Sequence, residues 1–204
     1  MEIITLPLGP LDTNCYILFN EDKKALVFDP SYDGKRILSE IKSRGLEVEA
    51  IFLTHTHFDH IGALDVVAKD LGVTTYLGGE EYEWVQNPAL NGSSRFGETV
   101  TTNVKREELE DGLFETESFK FEVLSTPGHS PGSKSFVFND FVISGDVLFN
   151  KGVGRTDLYM GNEKELMHSI KEKLFKLDET MDVYPGHGMP TTIEEEMHEN
   201  PYIR

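Results

Sequence analysis

Residues 54–60, Thr-His-Thr-His-Phe-Asp-His, hold three of the chain's seven histidines and one aspartate. His55 and His57 lie two residues apart at the end of an extended run, so their side chains leave the backbone on the same side. Asp59 and His60 follow where the chain must turn toward a helix. Imidazole and carboxylate together suit zinc, iron or manganese. Neighbouring imidazoles repel when protonated and gain little by packing alone. The loop therefore reads as four metal ligands on one strand-to-helix turn.

One loop cannot complete a two-metal site, and three further candidates stand just past other apolar runs. His129 sits in "STPGHSPGS", Asp146 ends "FVISGD", and His187 sits in "VYPGHG". Glycines beside them let the backbone approach a ligand or ion closely. The remaining histidines, His168 and His198, fall in helical patterns and read as ordinary helix residues.

These residues need strands that end side by side. "IITLPL", "NCYILF" and "KALVFDP" read as strands separated by turn signals. "GKRILSEIKSRG" reads as a helix stopped at Gly45, and "VEAIFLTH" as a strand buried on both faces. "GALDVVAKDLG" is a second helix with Leu64, Val67 and Leu71 aligned. A polar stretch from Asn91 to Gly112 reads as a loop with a fragment of strand, or equally as a lid facing a substrate.

The second half repeats the theme. "SFKFEVLSTPG" and "KSFVFNDFVISGD" are strands, the latter folded into a hairpin at Asn139 and Asp140. "NEKELMHSIKEKLFKL" is an amphipathic helix, and Thr192 with Glu195 has capping-box spacing for a last one. Two similar halves of alternating strands and helices predict an α/β protein with sheets at the centre and helices outside. At 204 residues, without a linker or low-complexity segment, residues 1–204 are expected to form a single domain.

The formal net charge of −17 disfavours nucleic acid and anionic membrane as partners. The lone cysteine, Cys15, falls in a strand pattern and reads as a core thiol. It allows no internal disulfide and suits a reducing compartment. The N-terminus lacks a basic leader pattern, and no apolar run reaches membrane-span length. A cytoplasmic protein is the expectation; the sequence sets no oligomeric state.

The order HxHxDH, then His, Asp and His in separate strand-end loops, resembles the metallo-β-lactamase superfamily along essentially the whole chain. That resemblance implies an αββα four-layer sandwich, with Asp29 of "VFDP" buttressing the metal loop. It also implies His55, His57 and His129 around one divalent ion, Asp59, His60 and His187 around a second, and Asp146 bridging them. Zinc is the first expectation, and the same donors accept iron or manganese. Two metals roughly 3.5–4 Å apart can share a hydroxide made nucleophilic at neutral pH. Asp59 would then orient that hydroxide or accept its proton.

Asp146, as an aspartate and not a cysteine, argues against the typical β-lactamases. "GVGRTDLYMG", "PGHG" and "NPYIR" are similar to the glyoxalase II group and its short bacterial members, which hydrolyse the thioester S-lactoylglutathione. No C-terminal helical domain of the kind with which the larger enzymes hold glutathione is expected. The resemblance implies Arg155 as the anion-binding residue, with Lys151 as a second candidate; Asp157 falls where those enzymes place an aromatic. The expected partner is a small-molecule thioester or glutathione conjugate. The nearest rival resemblance is to iron-dependent persulfide dioxygenases, which share the fold and a "GRTD" stretch. A nuclease and a non-catalytic metal-binding module rank below them.

Overall fold

The computed structural model describes residues 1–203. The first of its two six-stranded sheets runs in chain order through β1 (Glu2–Leu8), β2 (Thr13–Phe19), β3 (Lys24–Phe28), β4 (Glu47–Phe52), β5 (Thr74–Leu77) and β6 (Arg106–Glu108). Its first three strands are antiparallel, and pairing from β3 onward is parallel. The parallel connections cross over through α1 (Gly34–Ser43), and through α2 (Phe58–Ile61) with α3 (Leu64–Leu71).

The second sheet contains β7 (Gly112–Glu115), β8 (Lys120–Ser125), β9 (Lys134–Val137) and β10 (Phe141–Gly145). A separate small hairpin, β11 (Leu148–Phe149) with β12 (Gly152–Val153), follows, then α4 (Glu163–Glu172). Strands β13 (Asp182–Pro185) and β14 (Thr191–Thr192) and helix α5 (Ile193–Glu199) complete this half. The sheet order is β14-β13-β10-β9-β8-β7.

Strand alternation explains the layers. In β3, Ala25 and Val27 face a core shared with α1 and α3, while Leu26 and Phe28 face the second sheet. In β10, Val142 packs toward Leu166, Ile170 and Ile193, and Ile143 points between the sheets. Both sheets are therefore covered on both faces, as near-continuous apolar runs require. Phe52 anchors the middle layer, its ring 5.2 to 5.6 Å from those of Phe28, Tyr76, Phe114, Phe121 and Phe136. The result is the αββα sandwich.

Helix ends follow their sequence signals. The Thr192 hydroxyl accepts from the Glu195 N–H at 3.1 Å, and the Asn162 side chain caps α4. Cys15 is fully buried in β2, where burial pushes its thiol up, out of the nucleophilic range. No helix among the described residues is long and apolar enough to cross a membrane.

The polar stretch after Asn91 divides between the two expectations for it. Arg106–Glu108 forms the edge strand β6, whereas Ser93–Phe96 is a 3-10 turn that lies over a cavity. The short strands β5 and β7 escape sequence reading because both are only half buried and too short to show an alternating pattern.

Candidate metal centre

Four strand ends deliver the site. His55, His57, Asp59 and His60 follow β4, His129 follows β8, Asp146 follows β10, and His187 follows β13. The structure brings all seven predicted ligands together. Ligand atoms of His55, His57 and His129 lie within 4.8 Å of one another, as do those of Asp59, His60 and His187, and those of His55, His60 and Asp146. Asp146 faces both sides of the cluster: its Oδ2 is 3.6 Å from His129 Nε2 and 3.4 Å from His187 Nε2, and its Oδ1 is 3.4 Å from His60 Nε2. Gly186 permits this closeness, because a Cβ there would sit 2.0 Å from Asp146 Oδ1.

Hydrogen bonds behind the rings set which nitrogen faces inward. Asp29, itself in a left-handed backbone conformation at φ 47°, accepts from the Thr54 N–H and from the Thr54 hydroxyl, both at 2.7 Å. With its proton committed to Asp29, Thr54 Oγ1 accepts from His55 Nδ1 at 3.1 Å. Asp29 also holds His60 Nδ1 at 2.9 Å. His129 Nδ1 donates to the Arg155 carbonyl at 2.8 Å, and His187 Nδ1 to the Leu11 carbonyl at 3.0 Å. Four of the five rings thus turn Nε2 toward one shared space, the arrangement by which outer groups fix metal-ligand tautomers. His57 differs, presenting Nδ1 at 2.9 Å from His129 Nε2.

What the cluster leaves unpaired tests whether it fits metal. His55 Nε2, His60 Nε2 and Asp146 Oδ1 are buried without a hydrogen-bond partner. Buried polar atoms are rarely left so, because each costs about 1–3 kcal/mol. Unpartnered polar atoms facing one space, plus two imidazole nitrogens in direct contact, are what a pair of cations would satisfy. The residues fit.

Electrostatics divides the cluster. Burial, followed by the neighbouring rings of His60 and His129, pushes His55 far below the ordinary imidazole range. Burial, then His129, takes His57 down to about 3. On the other side, burial disfavours every charge but is outweighed by pairing. The His60 and His187 rings hold Asp59 at about 2 and Asp146 well below the carboxylate range. In return Asp59, Asp146 and Asp29 raise His60 well above its usual value, and Asp146 with Asp59 raises His187 to about 10. Protons bind the second set together where a cation could take their place.

Sequence reasoning missed two supports. Glu81, fully buried, accepts from the Thr56 N–H at 2.6 Å and hydroxyl at 2.8 Å with one oxygen, and from the Gly132 N–H at 2.8 Å with the other. It ties the His55–His57 segment to the His129 loop. Thr13 donates to Asp59 Oδ2 at 2.9 Å. A glutamate in an acidic stretch and a threonine on a strand carry no signature that would mark either role.

A cavity of about 370 Å³ stands over the cluster, walled mainly by apolar side chains that include Phe58, Leu90, Phe96, Phe149, Leu158 and Tyr159. Arg155 lines it, but Asp157 takes its guanidinium with two bonds, Nε–Oδ1 at 2.7 Å and Nη2–Oδ2 at 2.8 Å. Lys151 stands outside the cavity lining and pairs with Glu195 and Glu199 of α5. The strand turn at 148–153 carries its ammonium toward that acidic helix. Tyr159 supplies an aromatic wall two residues beyond Asp157.

Comparison with known proteins agrees with this geometry. The model of the metallo-β-lactamase superfamily matches residues 8–187. The chain is 45% identical to the probable metallo-hydrolase YqgX of Bacillus subtilis (strain 168), over 97% of this chain and 95% of that one. It is 30% identical to the hydroxyacylglutathione hydrolase GloC of Haemophilus influenzae, over 100% of this chain and 98% of that one. Among solved structures, the BLEG-1 B3 metallo-β-lactamase superposes with a TM-score of 0.96 at 43% identity, covering 99% of both chains. TTHA1623 in a di-iron-bound form gives 0.88 at 33% identity, covering 98% of this chain and 99% of that one. With the ligand order, the four layers and the family match in agreement, this chain belongs to the metallo-β-lactamase superfamily.

Proposed function

We propose that the protein is a metal-dependent hydrolase that cleaves a thioester such as S-lactoylglutathione, taking up water and releasing a thiol and a carboxylate. The observation that carries the reading is the set of orphaned inward atoms, His55 Nε2, His60 Nε2 and Asp146 Oδ1, in a ligand cluster whose His57, Asp59, His129, Asp146 and His187 line an apolar cavity. His55, His57 and His129 would hold one divalent ion and Asp59, His60 and His187 the other, with Asp146 between them. Likeness to a protein solved in a di-iron-bound form supports iron as a candidate beside zinc. Such a pair supplies Lewis acidity and a water-derived nucleophile at neutral pH.

The chain's own residues do the rest. Asp59 Oδ2, fixed by Thr13 and 3.3 Å from His187 Nε2, is placed to orient the attacking water and hold its proton. The apolar walls exclude bulk water from the scissile bond. A thiolate leaves without needing a strong general acid, and the cavity lining offers no tyrosine, lysine or cysteine beyond Tyr159. The thioester assignment draws further support from the similarity to GloC and from "GVGRTDLYMG" and "PGHG".

Thiol release from S-lactoylglutathione by metal-loaded protein tests the reading. Fast release that stops on chelation is expected. Oxygen uptake with a persulfide, and no thiol release, would move the protein to the dioxygenases of this fold. A second reading, β-lactam hydrolysis, is favoured by the 0.96 superposition on BLEG-1, which weakens the inference drawn from Asp146 against β-lactamases. A cephalosporin turned over faster than the thioester would establish it.

A further inference from the structure

The floor of the cavity holds the ligand cluster; its rim carries the exposed charge. Two arginines line the cavity, Arg95 and Arg155. They are not equivalent. The two-bonded pairing of Arg155 with Asp157 presents almost no net charge to an incoming ligand. Arg95 makes no ion pair within 4.0 Å among the described residues. Its charge acts across the mouth, adding to that of Arg155 in holding the Asp157 carboxyl at about 2.

Arg95 is carried on a tethered flap. The Asn91 side-chain amide, fully buried, donates to the Trp84 carbonyl at 3.1 Å and the Val100 carbonyl at 2.9 Å. Asn91 Oδ1 accepts from the Ser93 N–H at 3.0 Å, and Ser93 Oγ from the Val100 N–H at 3.2 Å. The Asn91 carbonyl accepts from the Phe58 N–H at 3.0 Å, which ties the flap to the ligand loop itself. Phe96 then packs on Phe58 with ring centroids 4.9 Å apart. The flap is thus registered to the floor, with one unspent guanidinium held above apolar walls in a chain of net charge −17.

We propose that Arg95 is the specificity-determining residue of this site, receiving one carboxylate of a thioester whose apolar portion fills the cavity. The proposal rests on the thioester reading above. A guanidinium grips a carboxylate through two parallel hydrogen bonds, and Arg95 is the cation whose bonds are not already taken. Further net negative charge on the substrate would meet Asp157 and the acidic surface, so a substrate of net charge about −1, as a glutathione conjugate with two carboxylates and one ammonium carries, is favoured over a more anionic one.

The test uses two thioesters with the same acyl group, one of 3-mercaptopropionate and one of its methyl ester, on metal-loaded protein. In Arg95→Gln, KM for the anionic thioester is expected to rise about tenfold, the scale of one charge-assisted hydrogen bond, with the neutral one moving less than about twofold. Arg95→Lys should recover part of the loss, and Arg155→Gln with Asp157→Asn should leave the preference in place. Equal effects of Arg95→Gln on both thioesters would overturn the proposal, as would a preference that vanishes in the 155/157 double variant. Binding of the two free thiols, followed by fluorescence of Trp84, the chain's single tryptophan, reads the same preference without turnover. Failure of both thioesters to react, with the carboxylate preference intact in binding, would overturn the thioester reading and leave Arg95 standing. No carboxylate preference in binding would overturn Arg95 whatever the turnover.

Discussion

The floor of the cavity and its rim are built on opposite principles. On the floor buried groups fix one another: Asp29 holds Thr54 and His60, Thr13 holds Asp59, Glu81 joins Thr56 to Gly132, and backbone carbonyls hold His129 and His187. At the rim the charged groups are exposed and answer mainly to each other, as Arg155 does to Asp157. Buried, mutually fixed ligands serve one chemistry whatever the substrate, whereas exposed charges can change with the substrate and leave the chemistry intact. Substitutions on the floor should therefore cost much more than those at the rim.

The largest effect is expected from Asp146→Ala, which removes the carboxylate facing both halves of the cluster. Loss of kcat/KM should reach about 10²–10³-fold, the scale of deleting a preorganised electrostatic group, and bound metal should fall with it. Full metal and full rate would mean that the ligand assignment is wrong. Glu81→Gln comes next. Its amide would set an N–H against an N–H at Thr56 or Gly132, so metal affinity should drop by about 10–100-fold, measured by competition with a chromophoric chelator. An unchanged affinity would reduce Glu81 to a packing residue.

At the rim the expected effects are smaller. Arg155→Ala exposes Asp157 to the substrate, so KM for an anionic thioester should rise by no more than about fivefold, as exposed pairs carry little. Adding Asp157→Ala should restore it; a loss that persists in the double variant would return Arg155 to direct substrate binding. The smallest effect belongs to Lys151→Ala. With its ammonium spent on α5, kinetic constants should hold and Tm should move by less than about 2 °C. A large rise in KM would return Lys151 to substrate binding.

The same contrast explains what the sequence made legible. Metal chemistry demands histidine and aspartate at strand ends, so the floor is visible as HxHxDH, GHS, GD and GHG, and Asp29 as the end of "VFDP". Alternating strands and helices make central sheets with helices outside legible, while the four-layer arrangement comes with the family resemblance. Glu81, Asn91 and Thr13 are ordinary residue types, and only tertiary pairing gives them a task. Arg155 and Lys151 show the converse. Their charge is plain in the sequence, but the partners that cancel it lie two residues away in one case and on a distant helix in the other.

Metal titration of chelator-stripped protein, followed calorimetrically with zinc and with ferrous iron, tests most directly the claim that the floor is a two-ion site. The account predicts two ions bound per chain, with Asp146→Ala losing the second. Binding of a single ion by wild-type protein, or of two by Asp146→Ala with unchanged affinity, would contradict it.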